Sequence, residues 1–243
     1  MLAPSTWTRK GGAVVAAAAL LALASSGAGS AAPAKIASTH SLAALLVAHG
    51  ARSGPSVRAA LLAVVEAKRP LTGERTVLPI LGRARGPQGA TWLHVSLPGR
   101  PNGHTGWIRK SGTRETRTSW AVVVNLGRRQ LAVYRYGRSI KTFRAVVGKP
   151  STPTPQGQFF VEESFPIRPG SLGAPYAIAL SARSTVYQQF DGGPGQIAVH
   201  GIEGIGGQPG TAASHGCIRL DASDMAWLGH HIRPGVPVTI VGS

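Results

Sequence analysis

SHGCIRLD, Ser214 to Asp221, contains the only cysteine in a chain of 243 residues, and its reading decides how the sequence around it is folded. A single cysteine makes no internal disulfide, so Cys217 is an intermolecular bridge, a small buried hydrophobe or a reactive thiol. Reactivity has a requirement. The thiolate is the nucleophile, so a base or a positive field must lie beside the sulfur near neutral pH. His215 precedes the cysteine by two positions and shares its face if the segment is extended. His200 ends the strand-like run QIAVH, and the glycine-rich GIEGIGGQPGTAAS that follows can fold it back toward the cysteine. His230 and His231 lie downstream. Spacing alone ranks none of these imidazoles above the others.

Outward from the octapeptide, DASDMAWLGHHI predicts one helix, with Asp221 at the N-cap and Asp224 in the capping-box position. The N-terminus of that helix offers Cys217 partial positive charge, which Asp221 and Asp224 offset, and His230 and His231 are expected to cap its last turn. Upstream, TSWAVVVNLGRRQLAVYRYGRSIKTFRAVVGK reads as a β-meander broken at GRR and YGR. GQFFVEE, YAIALS, QIAVH and the closing VPVTIVG add strands. The fold class is therefore mainly β: a mixed β-sandwich with one helix over residues 118–243, carrying Cys217 between a sheet and a helix.

The N-terminal half has three textures. Arg9 and Lys10, then the apolar GGAVVAAAALLALA, then small residues give residues 1–32 the order of a secretory signal peptide. The apolar core is short and Ala-rich for a membrane span, so an uncleaved anchor is the alternative rather than the expectation. Residues 33–70 read as a tether with a helix in SVRAALLAVVEAKRP, ended by Pro70. Residues 71–114 carry short β-like runs between Gly-Pro, Pro-Gly and Asn-Gly turns, a small all-β module with Trp92 and Trp107 as its core. The net charge is +17, and +15 once Arg9 and Lys10 are set aside. Such a balance calls for an anionic partner. The arginines are scattered and form no basic helical stripe, so an anionic cell-wall polymer fits better than nucleic acid.

VHG followed by SHGCIRL resembles the signature of the YkuD-type L,D-transpeptidases, enzymes that cross-link peptidoglycan. The similarity extends through VGKPSTPTPQGQFFV, PYAIALSARS and FDGGPGQIAVHG, and residues 71–114 resemble a bacterial SH3-like barrel more weakly. The resemblance implies Cys217 as the nucleophile that forms a thioester with a tetrapeptide stem and expels its terminal D-alanine. It implies His200 as the general base, oriented by the backbone carbonyl of Gly201 in place of an acid. His215 would support the substrate or the developing oxyanion, and the N–H groups of Gly216 and Cys217 would form the oxyanion hole. Ser214 would hydrogen-bond the loop. Arg219 would bind a carboxylate or amide of the stem unless it pairs with Asp221 or Asp224, and Tyr176 would wall the cleft.

Rival readings are thinner. A zinc site from His200, His215 and Cys217 has no fourth ligand, so neither metal nor organic cofactor is expected. Papain-like and NlpC-like peptidases place the cysteine before the base, and sortases separate His from Cys much farther. An amine acceptor would give 3-3 cross-links, a free D-amino acid exchange, and water L,D-carboxypeptidase activity. An inactive wall-binding protein is the alternative of another class. The expected partners are peptidoglycan stem peptides, with carbapenems as inhibitors, for a monomer exported to the cell envelope.

Overall fold

Short β-branched runs cut by Gly- and Pro-containing turns favour sheets over long helices. The computed structural model describes residues 35–190 and 192–242, and among them stand seventeen strands and one α-helix. The signal peptide expected over residues 1–32 lies outside the described residues. No helix among the described residues is long and apolar enough to cross a membrane.

The first seven strands are β1 (His40–Leu45), β2 (His49–Arg52), β3 (Leu61–Val65), β4 (Val77–Arg85), β5 (Thr91–Ser96), β6 (Thr105–Arg109) and β7 (Thr113–Thr118). They form one sheet in the order β3-β2-β6-β5-β4-β1-β7. Ala43, Leu45, Leu78, Leu93, Val95 and Ile108 pack as its core. Trp92 is buried as expected, whereas Trp107 is half-buried with its ring stacked on His94 at 4.8 Å.

Two expectations change here. Residues 33–70 are not a tether with a helix. β1 is an interior strand, antiparallel to β4 on one side and to β7 on the other. Leu61–Val65, the heart of the expected helix, is β3, antiparallel to β2. The run LLAVV is apolar throughout, so its periodicity suits a helix or a strand, and pairing with β2 decides the matter. Residues 71–114 supply β4, β5, β6 and the start of β7 to this larger sheet, and an SH3-like barrel of their own is not shown.

The second half follows the meander expected of it. It comprises β8 (Trp120–Asn125), β9 (Gln130–Arg135), β10 (Arg138–Arg144), β11 (Val147–Gly148), β12 (Gly157–Pro166), β13 (Tyr176–Arg183), β14 (Gln196–Gly201), β15 (Ala212–Ser214), β16 (Ile218–Leu220), helix α1 (Ala222–His231) and β17 (Pro237–Val241). Eight strands run in the order β10-β9-β8-β17-β12-β13-β14-β16, and β11 pairs with β15 apart. β12 belongs to both halves of the sandwich: Gly157–Phe160 pairs with β17, and from Val161 onward, through a shift in register between Val161 and Glu163, it pairs with β13. Val122, Leu131, Phe159, Leu180, Val199 and Leu228 are among the residues of its core.

Helix α1 closes that core through Met225 and Leu228. Asp221 stands at its N-cap without a side-chain hydrogen bond to the helix, so the expected capping box does not form. His230 Nδ1 lies 2.6 Å from the Ala226 carbonyl and His231 Nδ1 2.7 Å from that of Trp227, as expected for the C-terminal turn. The halves are joined by buried groups. Phe160 of β12 sits in the core of the first sheet. Arg69 pairs with Glu162, whose Oε1 lies 3.0 Å from Arg183 Nη2, and the Thr72 N–H donates to Glu163 at 2.9 Å.

Candidate active site

Strand alternation sorts the motif residues by face. β14 and β16 run parallel, with Val199 opposite Ile218 and His200 opposite Arg219. Ile197, Val199, Ile218 and Leu220 all belong to the core. Residues of the other parity, His200, Arg219 and Cys217 just before β16, therefore share the outer face. Cys217 stands diagonally across from His200, with Cα atoms about 8 Å apart from a strand spacing of ~4.8 Å and a rise of ~3.3 Å per residue.

The imidazole is held in one tautomer. His200 Nδ1 lies 2.8 Å from the Gly201 carbonyl oxygen, which only accepts, so Nδ1 carries the proton and Nε2 keeps its lone pair. Gly201 in turn donates its N–H to Gly173 O at 2.8 Å, and any side chain there would run into the Ala174 carbonyl. Burial holds the imidazole below its ordinary value of 6.5, helped by the Arg219 charge, although the Gly201 carbonyl pulls the other way. Burial also pushes the Cys217 thiol up from 9.0, against the Ala198 backbone and the Arg219 charge. Near neutral pH the resting pair is thus a thiol and a neutral imidazole. A preformed ion pair would need the opposite shifts.

The loop before the cysteine is fixed by short polar bonds. The Ser214 hydroxyl donates to Cys217 O at 2.6 Å and accepts the Gly216 N–H at 3.1 Å. Thr152 Oγ1 donates to Ser214 O at 3.1 Å, and Thr154 Oγ1 donates to Gly216 O at 2.8 Å while accepting the Gly148 N–H at 2.9 Å. Gly216 has φ +120°, and a Cβ there would lie 3.0 Å from Ile197 Cδ1, so the position requires glycine. The expected pair of oxyanion donors is thereby halved. The Gly216 N–H is occupied by Ser214, whereas the Cys217 N–H has no backbone acceptor among the described residues.

Arg219 is buried, with Nη1 donating to Gly206 O at 3.1 Å and Nε buried without a hydrogen-bond partner. Among the described residues it pairs with neither Asp221 nor Asp224. His215 is exposed, its ring centroid 6.0 Å from that of Phe190 and 6.2 Å from that of Tyr187. Tyr176 is not a wall of this cleft. Ala177 pairs with His200, so Tyr176 has the opposite parity and packs under helix α1, against Gly229 and 5.2 Å from the His230 ring.

Four residues of the site carried no role in the sequence reading: Thr152, Thr154, Tyr187 and Phe190. The alternating threonines of STPTP are a recognisable signal for side chains that replace backbone partners in a turn. Tyr187 and Phe190 meet His215 only through long-range folding.

Comparison with known proteins agrees with this half of the molecule. Residues 119–240 match the family model of the YkuD L,D-transpeptidase catalytic domain. L,D-transpeptidase 1 of Mycobacterium tuberculosis is 26% identical over 182 residues, covering 62% of this chain and 71% of the relative. A putative L,D-transpeptidase YkuD of Bacillus licheniformis is 31% identical over 121 residues, covering 50% of this chain and 65% of the relative. Among solved structures, L,D-transpeptidase 3 from Mycobacterium tuberculosis in complex with a faropenem-derived adduct aligns with TM-score 0.42 and 16% identity, covering 62% of this chain and 90% of the other. The family match begins at the residue before β8, runs through β14, the cysteine loop and α1, and ends within β17, so the chain belongs to the YkuD family of L,D-transpeptidase catalytic domains.

Proposed function

We propose that the chain is a peptidoglycan L,D-transpeptidase of the cell envelope, with Cys217 as its nucleophile and His200 as its general base. One observation carries the reading: His200, its Nδ1 bonded to Gly201 O, stands on the strand parallel to the one that Cys217 opens, on the same face. The free Nε2 takes the thiol proton as the sulfur attacks the carbonyl carbon that precedes the terminal D-alanine of a tetrapeptide stem. The oxyanion that forms is held by the Cys217 N–H, with His215 beside it as a second donor. Collapse breaks the amide C–N bond, His200 returns the proton to the departing amine, and D-alanine leaves a thioester on Cys217.

An acceptor amine then attacks the thioester, the sulfur departs as thiol, and a 3-3 cross-link remains. Arg219 offers its guanidinium to a carboxylate or amide of the stem, a role supported by its unpartnered Nε. Carbapenems are strained acyl donors and would trap the same sulfur. The charge of +17 favours retention by anionic wall polymers, and export rests on the signal-like order of residues 1–32.

The test is incubation of the full chain with purified disaccharide tetrapeptide under reducing conditions, with products weighed by mass spectrometry. A cross-linked dimer lacking one D-alanine is the expected product. Tripeptide alone would assign the acceptor to water, and exchange of the terminal residue would assign it to a D-amino acid. No product and no adduct on Cys217 would contradict the reading and leave a wall-binding protein.

A further inference from the structure

The aromatic pair beside His215 belongs to a loop that the first sheet holds. The loop leaves β13 at Ser184 and rejoins β14 beyond Gly195, closed at its neck by the Ser184 N–H donating to Gly195 O at 2.7 Å. Ser184 Oγ folds its first turn by accepting the N–H groups of Val186 at 3.2 Å and Tyr187 at 3.0 Å. Phe190 and Gly193 exchange backbone bonds at 3.0 and 2.9 Å near the tip. Tyr187 and Phe190, 5.5 Å apart, lie along one side of His215, and Phe190 is 53% exposed, so this wall keeps an open apolar face.

Three carbonyls of the loop turn toward one guanidinium. Arg100, in the turn between β5 and β6, donates from Nη2 to Ser184 O at 2.8 Å and to Tyr187 O at 2.9 Å, and from Nη1 to Pro194 O at 3.0 Å. It thereby ties the outgoing and returning limbs of the loop together. Asn102 fixes the same edge, donating to Arg183 O at 2.8 Å and accepting the Arg183 N–H at 2.8 Å. Bonds from a charged donor are roughly twice as strong as neutral ones, and a planar fork holds several acceptors in one geometry. Without them, two aromatic side chains and their backbone would have to be ordered by the ligand, at an entropic cost.

We infer that Arg100 is a positioning residue of the acyl-donor site: the first sheet sets the Tyr187–Phe190 wall beside His215, and so governs binding of the stem peptide. The inference rests on the proposed role of Cys217 as acyl acceptor. Arg100 bonds to Ser184, Tyr187 and Pro194 and to neither Cys217, just before β16, nor His200 on β14, so the wall and the nucleophile separate in experiment.

The full chain is compared with Arg100→Gln, Arg100→Lys and, as a control in the turn between β2 and β3, Arg58→Gln. Three quantities are read: hydrogen exchange of residues 184–195, alkylation of Cys217 by iodoacetamide, and turnover of disaccharide tetrapeptide. Arg100→Gln is expected to speed exchange in the loop and raise KM about tenfold, the scale of lost charged hydrogen bonds, with iodoacetamide alkylation unchanged. Arg100→Lys recovers part of the KM, and Arg58→Gln behaves as the parent. Parental exchange and KM in Arg100→Gln, or alkylation slowed as much as turnover, would overturn the inference. A parent chain that is alkylated but never acylated by tetrapeptide would instead overturn the assignment of Cys217, while loop exchange would still report on Arg100.

Discussion

His200 and His215 flank Cys217 in the proposed site, but they stand on different supports. His200 is built into a sheet: its neighbours on β13 and β16 fix its backbone, and the Gly201 carbonyl fixes its ring. His215 projects from a loop into solvent beside two aromatic rings that another loop provides. Proton transfer needs a geometry held to a fraction of an ångström, and a sheet supplies it. Recognition of a flexible peptide tolerates adjustment, and loops supply that. Under the proposed function, the contrast gives chemistry to the strand-borne imidazole and the sulfur beside β16, and substrate fit to the loop-borne wall.

The contrast breaks or sharpens under substitution. Cys217→Ala removes the proposed nucleophile and is expected to abolish product and adduct while the thermal midpoint stays near that of the parent; residual cross-linking would end the thiol mechanism. The pH profile comes next in size. Burial raises the Cys217 thiol above 9.0, so alkylation by iodoacetamide should climb about tenfold per pH unit through neutrality without a reactive plateau below pH 7. Burial lowers His200 below 6.5, so it stays neutral through pH 7, and acylation by substrate should fall only on the acid side of that value. A thiol fully reactive at pH 6 would mean a preformed ion pair.

Thr154→Val probes the support of the strand-borne half. It strips a buried bond from Gly216 O and from the Gly148 N–H, and should cost about 1–3 kcal/mol, read as a lower denaturant midpoint. Phe190→Ala probes the wall and should do least. Loss of an aromatic contact worth about 0.5–1.5 kcal/mol corresponds to a two- to tenfold rise in KM for tetrapeptide, with iodoacetamide reactivity unchanged. A large fall in kcat would put the aromatic wall inside the chemistry and erase the distinction.

Local patterns made part of this molecule readable and left the rest hidden. Helix α1 and the meander of β8 to β10 were legible because their periodicity and turns lie within a few residues of each other. The first sheet was not. LLAVV suits either regular structure alone, and β1 lies between β4 and β7, partners more than thirty residues away in sequence. The octapeptide around Cys217 named the motif, yet Tyr176 was misplaced because its face depends on the pairing of Ala177 with His200, which no spacing reveals. The Gly216 N–H was misassigned because Ser214, two residues before it, turns back to accept it. Arg100 reaches the 184–195 loop across more than eighty residues of sequence and belongs to no local motif.

The central claim is that the sheet-borne imidazole, rather than the loop-borne one, activates the sulfur. Its most direct test is the rate at which disaccharide tetrapeptide acylates Cys217, followed by time-resolved intact mass in His200→Ala and His215→Ala beside the parent chain. Loss of the general base predicts a fall of about 10²- to 10⁴-fold for His200→Ala and a much smaller one for His215→Ala. Parental acylation in His200→Ala, with the large loss in His215→Ala instead, would contradict the account.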